Sequence, residues 1–224
     1  MIFTAANYLL FDVKQYLKEF NLDKKFNKFM VDIETTGTKP DINHVVEISI
    51  VPFDLVPNTI IVSPPEYHLK FKLNHNQLHR TYNQQTMVWW GKQTKVIADD
   101  VFSQFYNEDI NNKNVLLQLA VFITQLSKGD TQFWAKPNSF DFMFMQSLFE
   151  DLGVIFPFRY WMAVDMAGFC TGLAFKQQKV LDYTIYKPEA REKAHDSMGD
   201  CYFQLDWIQN ALEDKPTKDV TLPF

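Results

Sequence analysis

Apolar positions recur along the 224-residue chain with two periods, and the switches between them outline the fold. From 5 to 27, Leu9, Leu10, Val13, Tyr16, Leu17 and Phe20 are spaced three and four apart with lysines between them. That is the pattern of an amphipathic helix. Alternation with period two then takes over. It predicts strands at about 28–34, at 45–53 and at 67–73, where Tyr-His-Leu-Lys-Phe-Lys-Leu reads as a half-exposed strand. Short connections favour antiparallel pairing of these three. Residues 56–66, with three prolines, read as a loop.

Helical spacing resumes at about 84–106, with a break, and at 114–127, where Gly129-Asp130 is expected to end the helix. A short strand at 131–135, a helix at 142–152, a strand at 158–164 and a helix at 197–213 complete the pattern. The order predicts an α/β domain. Its mixed sheet has three antiparallel-leading strands followed by parallel ones, and helices flank it. The expected organisation is an N-terminal helical extension at 1–28, one domain at 29–213 and a surface tail at 214–224.

Composition narrows the function classes. A 46% hydrophobic content with 21 Phe and five Trp supplies an ample, aromatic core. A net charge of -5 argues against a broad basic surface and against sequence-independent capture of a duplex. It is compatible with a small pocket that grips one chain end through cations. Two cysteines, Cys170 and Cys201, make neither a disulfide framework nor a zinc pattern, and point to a reducing cytoplasm. No apolar run approaches the roughly 20 residues of a membrane span, and the N-terminus lacks the basic flank of a signal peptide.

Three acidic motifs carry the candidate chemistry. In Phe29-Met30-Val31-Asp32-Ile33-Glu34-Thr35-Thr36-Gly37, two carboxylates interrupt an apolar strand close to its end. Strand side chains alternate, so Asp32 and Glu34 share a face. Adjacent buried carboxylates repel, and a divalent cation with oxygen ligands relieves that. A solvated edge strand would also explain the pair. Asp141, in Asn138-Ser139-Phe140-Asp141, sits where a strand hands over to a helix, as an N-cap-like residue or a third carboxylate aimed at strand one. In His195-Asp196-Ser197-Met198-Gly199-Asp200, His195 and Asp200 are about 140° apart on a helix. They converge only if His195 lies in the preceding loop. Ser197-x-x-Asp200 also resembles a capping box. Glu47, inside the second strand, is a buried acid near the metals, a partner of a basic residue or a solvent-facing group, and is left out of the site.

Taken in order, Asp32-x-Glu34, Asn138-x-Phe140-Asp141 and His195-x4-Asp200 resemble the DEDDh (DnaQ-like) family of 3′-to-5′ exonucleases, with the ribonuclease H-like fold. Thr86-Met87-Val88-Trp89-Trp90 and His195-Asp196-Ser197 look like its small phage exonuclease A (DexA) branch. Lys136-Pro137-Asn138 departs from the His-Asn or Gly-Asn pair common in the family.

The resemblance implies that 29–213 is an exonuclease domain that binds two divalent cations, Mg²⁺ with Mn²⁺ as substitute. Asp32 would bridge them, Glu34 and Asp200 would complete the site of the attacking water, and Asp141 would hold the second ion. His195 would be the general base. The backbone at Thr35 and Thr36 would contact the terminal sugar. Phe140 would flank the last base. Trp89 or Trp90 would stack, at most one of them facing the pocket because adjacent helical residues point about 100° apart.

The implied partner is a single-stranded nucleic-acid 3′ end, DNA favoured and RNA the alternative. The intact carboxylates and His195 argue against a non-catalytic binding module.

Overall fold

The computed structural model describes residues 25–177 and 195–213. The expected N-terminal helix up to residue 24 and the tail from 214 lie outside them. The last residues of that expected helix differ from expectation. Phe26 and Asn27 belong to strand β1 (Phe26–Thr35), because Phe26 is fully buried in the core.

β1 pairs antiparallel with β2 (Val45–Val56), with Asp32 opposite Ser49 and Glu34 opposite Glu47. The stretch read as a loop holds a further strand, β3 (Thr59–Val62), which folds back on β2. Its turn is Pro57-Asn58, with Asn58 at φ 64°. Proline and asparagine suit the two central positions of such a turn, so the prolines there mark a hairpin. β4 (Leu69–Lys72) pairs with the other half of β2's outer edge, Lys72 opposite Glu47 and Lys70 opposite Ser49. β5 (Ser127–Ala135) and β6 (Ala163–Asp165) add parallel strands on the far side of β1. The sheet order is β3-β2-β1-β5-β6, with β4 on β2.

The region at 84–106 resolves into α1 (Gln84–Trp90) and α2 (Lys95–Val101). α3 (Asn112–Leu126) passes directly into β5, so Gly129 lies within the strand and does not end the helix. α4 (Asn138–Asp151) starts four residues earlier than expected. The strand expected at 158–164 shrinks to β6, preceded by a 3-10 turn at Tyr160–Met162. α5 (Met166–Lys176) went unpredicted; Gly168 and Gly172 weaken its helical signal, while Asp165 caps it by accepting from the Gly168 amide. α6 (Ser197–Leu212) closes the domain. Among the described residues no helix is long and apolar enough to cross a membrane.

The alternation of the strands explains where the site sits. One sheet face carries Phe29, Val31, Ile33, Ile48, Ile50, Leu69 and Phe71, which pack with α3 and α4 in the main core. The other face is divided. Met30, Val51, Phe53 and Trp134 pack under α5 and α6 in a second core. One step along the same face the chain places Asp32, Glu34, Glu47, Ser49, Lys70 and Lys72, beside the N-terminus of α6. Near the site β1, β2 and β4 are thus apolar on one face and polar on the other. β4 is buried on both faces, contrary to its half-exposed reading: Lys70 is 7% exposed and Lys72 1%.

Candidate active site

Asp32, Glu34, Asp141, His195 and Asp200 line one pocket of about 290 Å³, together with Ile33, Lys136, Pro137, Phe140, Phe203 and Gln204. Asp32 and Glu34 leave β1 on the same face. Asp141 arrives from the other side of the sheet. The parallel ladder between β1 and β5 stops at Met30 opposite Trp134, and the Ile33 amide beyond it donates to Asp141 Oδ1 at 3.2 Å. Asp141 is not the N-cap of α4, which is Pro137; it lies in the first turn, where the helix dipole favours a carboxylate.

The third motif is not the capping box that Ser197-x-x-Asp200 resembles. Asp196 is the N-cap of α6, and its carboxylate accepts from the Gly199 amide. His195 precedes it in a left-handed conformation, φ 66°, and its amide donates to Asp200 Oδ2 at 3.0 Å. This places His195 in the loop and Asp200 in the first turn. Glu34, His195 and Asp200 each offer a ligand atom within 4.8 Å of the others, a spacing that can hold a metal ion.

The electrostatics point the same way. Glu34 is 7% exposed and Asp141 3%. Burial holds the Asp32 carboxyl well above its ordinary range, and the charges of Asp141 and Glu34 push it further; the amide of Gln204, donating to Asp32 Oδ1 at 2.7 Å, opposes this. Burial likewise raises Glu34, with Glu47 and Asp141 adding to it. Burial raises Asp141 against the bond from Ile33. Clustered carboxyls this reluctant to ionise fit a site completed by cations.

The consequence is measurable. A carboxyl raised in the folded state binds protons that the unfolded chain, titrating near pH 4, has released. Stability without metal therefore declines as pH rises from about 4 through the raised values. His44 and His68, whose burial lowers their pKa, act with the opposite sign. They are common to the parent and to Asp32→Asn, and cancel in the comparison. In EDTA the thermal midpoint of Asp32→Asn is expected to exceed that of the parent by a margin that widens as pH rises above about 4. A margin that is constant or shrinks with pH would contradict the assignment.

Of the other candidates, Phe140 lines the pocket, half-buried. Thr35 and Thr36 do not line it. The Thr35 hydroxyl donates to the Gly37 carbonyl, the Thr36 amide donates to the His44 carbonyl, and the Thr36 hydroxyl donates to the Thr81 carbonyl. The turn is tight: a Cβ on Gly37 would meet Asn43 Oδ1 at 2.1 Å. Trp90 is buried and also outside the pocket; its Nε1 donates to the Thr35 carbonyl at 3.0 Å. Trp89, 38% exposed, sets its ring edge-on to His195 at 4.6 Å between centroids.

Gln204 and Phe203 escaped the sequence reading, and Lys136 entered it only as part of a departure from the family's pattern. Gln204 had a signal, since it lies four residues after Asp200 and so on the same helix face. The Lys136 ammonium lies 4.2 Å from the centroid of Trp207, a partner on α6 that sequence spacing does not announce.

Known proteins share this architecture. The model of the Rv2179c-like 3′-5′ exoribonuclease domain matches residues 27–212. The exodeoxyribonuclease of enterobacteria phage T4 is 23% identical over 226 residues, covering 88% of this chain and 96% of the phage protein. E. coli exonuclease I in complex with a dT13 oligonucleotide superposes with a TM-score of 0.57 at 13% identity, over 83% of this chain and 40% of that one. The zinc-bound form of its single-stranded DNA complex gives a TM-score of 0.56, also at 13% identity, over 83% and 40%. The chain thus spans about 40% of the length of exonuclease I, and that likeness is one of fold, the ribonuclease H-like sheet.

Proposed function

The chain belongs to the Rv2179c-like 3′-5′ exoribonuclease domain family and is a 3′-5′ exonuclease, and from that premise we propose that the pocket removes nucleotides from the 3′ end of single-stranded DNA. The observation that carries this reading is the convergence of four carboxylates and one imidazole on a single pocket.

Asp32, Glu34, Asp141 and Asp200 would hold two Mg²⁺ ions, with Mn²⁺ as substitute. When bound, such ions stabilise charge on the attacking and leaving oxygens of an in-line displacement. His195 takes the proton of the attacking water on a ring nitrogen, a role that suits an imidazole near neutral pH. Asp200 steadies the His195 backbone through the amide bond. Gln204 fixes the orientation of Asp32. Phe140 offers an aromatic face to the terminal base, and stacking of that kind contributes roughly 1–3 kcal/mol whatever the base. Trp89 supports the His195 ring, and Trp90 holds the Thr35 turn at the pocket's edge. The two free cysteines fit work in a reducing cytoplasm.

DNA is favoured because the phage exodeoxyribonuclease matches over 96% of its own length. The family's description favours the second reading, trimming of RNA 3′ ends. Digestion of 5′-labelled single-stranded DNA and of matched RNA, each with Mg²⁺, Mn²⁺ or EDTA, tests both. The expected result is a ladder shortening from the 3′ end, faster on DNA and absent in EDTA. Faster shortening of RNA would transfer the assignment to the second reading. Internal cutting, or no cleavage of either strand with metal, would overturn it.

A further inference from the structure

A buried group of charges lies beside the pocket without lining it. Lys70 and Lys72 leave β4 on the face that also carries Glu34 and Glu47. Lys70 Nζ lies 3.1 Å from Glu47 Oε1 and is ion-paired with Asp196; Lys72 is ion-paired with Glu47 and donates to the Asp100 carbonyl at 2.6 Å. Both ammonium groups also approach Asp100 Oδ2, at 3.5 Å and 3.2 Å. Glu47, Asp100 and Asp196 have ligand atoms close enough together to hold a metal ion, but the two ammonium groups already stand among them. The cluster is therefore an internal ion network.

The network ends on the turn that carries His195 and Asp200. Asp196, gripped by Lys70, is the N-cap of α6. The next residue, Ser197, donates its amide to Glu47 Oε1 at 3.2 Å and its hydroxyl to the same oxygen at 2.5 Å. The Ser49 and Ser197 hydroxyls are 2.6 Å apart. Two consecutive residues are thus pinned to β2 and β4, directly after His195 and within the turn that presents Asp200. His195 stands at φ 66°, in the left-handed region that few residues other than glycine occupy.

We propose that Lys70, braced by Glu47, is a positioning residue of the exonuclease: it holds Asp196 and so fixes the turn that aims His195 at the reacting water. Lys70 does not line the pocket; it acts through His195. The proposal rests on the reading of His195 as the base. Misplacing a reacting group by about 1 Å costs on the order of 10²-fold, so the effect belongs in turnover and not in substrate affinity.

The test is a mutant cycle on the full chain, with kcat and KM measured on 5′-labelled single-stranded DNA. Lys70→Met removes the grip. Asp196→Asn keeps a side chain equally good as an N-cap but removes the charge that Lys70 holds, and it serves if Lys70→Met fails to fold. Each change is made in the parent and in His195→Ala. In the parent either change is expected to lower kcat by about 10-fold to 10²-fold with KM within about twofold. In His195→Ala, where only Asp200 is left for the turn to place, the further loss should be clearly smaller than in the parent, as coupled residues require. An equal loss in both backgrounds, a change confined to KM, or unchanged kcat in the parent background would overturn the proposal. No cleavage by the parent protein would instead refute the reading of the pocket. Full turnover by His195→Ala in an active parent would refute the assignment of the base.

Discussion

Asp32→Asn protein is expected to lose hydrolysis by about 10³-fold or more while folding at least as stably as the parent. The scale is that of removing a principal electrostatic stabiliser of a phosphoryl-type transition state. Asp32 is the carboxylate assigned to both cations, and an amide in its place carries no charge to hold either. The fold should tolerate the change for local reasons. Asn retains an Oδ1 that can accept from Gln204, and loss of the charge relieves repulsion from Glu34 and Asp141. Two measurements separate the effects: turnover on end-labelled DNA with saturating Mg²⁺ or Mn²⁺, and the thermal midpoint in EDTA and with metal. Stabilisation by added metal should shrink in the variant, because a ligand stabilises the native state only as far as it binds it. Turnover like that of the parent would sink the two-cation reading. A large drop in the metal-free midpoint would assign Asp32 to the architecture and not to the chemistry.

His195→Ala should lower turnover by about 10²-fold to 10⁴-fold, the usual contribution of a positioned general base, with KM largely kept. The ring makes an edge contact with Trp89, and the backbone amide donates to Asp200. Truncation therefore leaves the Asp200 bond in place. The left-handed backbone at His195 calls for a second variant. Asn adopts positive φ more readily than Ala, so His195→Asn controls for strain and should be as inactive. The pH profile adds an independent reading. A neutral base predicts activity that falls with pH through the imidazole's titration, and this limb should be missing in both variants. Protonation of the carboxyls that burial pushes upward also yields an acid limb, which is why the comparison between proteins decides. Full turnover and an unchanged limb in both variants would make His195 a bystander.

Alternation and motif order alone carried the reading a long way. The pair Asp32 and Glu34 on one strand face follows from the period of two, which no tertiary context can alter without breaking the strand. The mixed α/β order followed from the switch between periods. Helical geometry set the condition under which residues five apart converge, with His195 in the loop before the helix, and the structure meets it. The ribonuclease H-like fold was implied by the resemblance that the three motifs carry to the DEDDh exonucleases, and the superposition on exonuclease I agrees with it.

What tertiary structure decided were the facts that depend on which residues become neighbours across long stretches of chain. Lys70 and Lys72 read as the wet side of a half-exposed strand, because alternating lysines are normally solvated. They are buried because Glu47, Asp100 and Asp196, from β2, α2 and the start of α6, meet their charges there. Asp141 reads by sequence as a cap or as a third carboxylate; it reaches the site where the ladder between β1 and β5 ends early and leaves the Ile33 amide to be filled. Adjacent Trp89 and Trp90 carried the expectation that at most one could face the pocket, but not the knowledge that Trp90 would fasten the Thr35 carbonyl while Trp89 met His195. Local periodicity is set by backbone geometry and is therefore legible in a single chain. The partner of a buried charge is set by chain topology, because desolvation must be offset by whatever group the fold brings within reach.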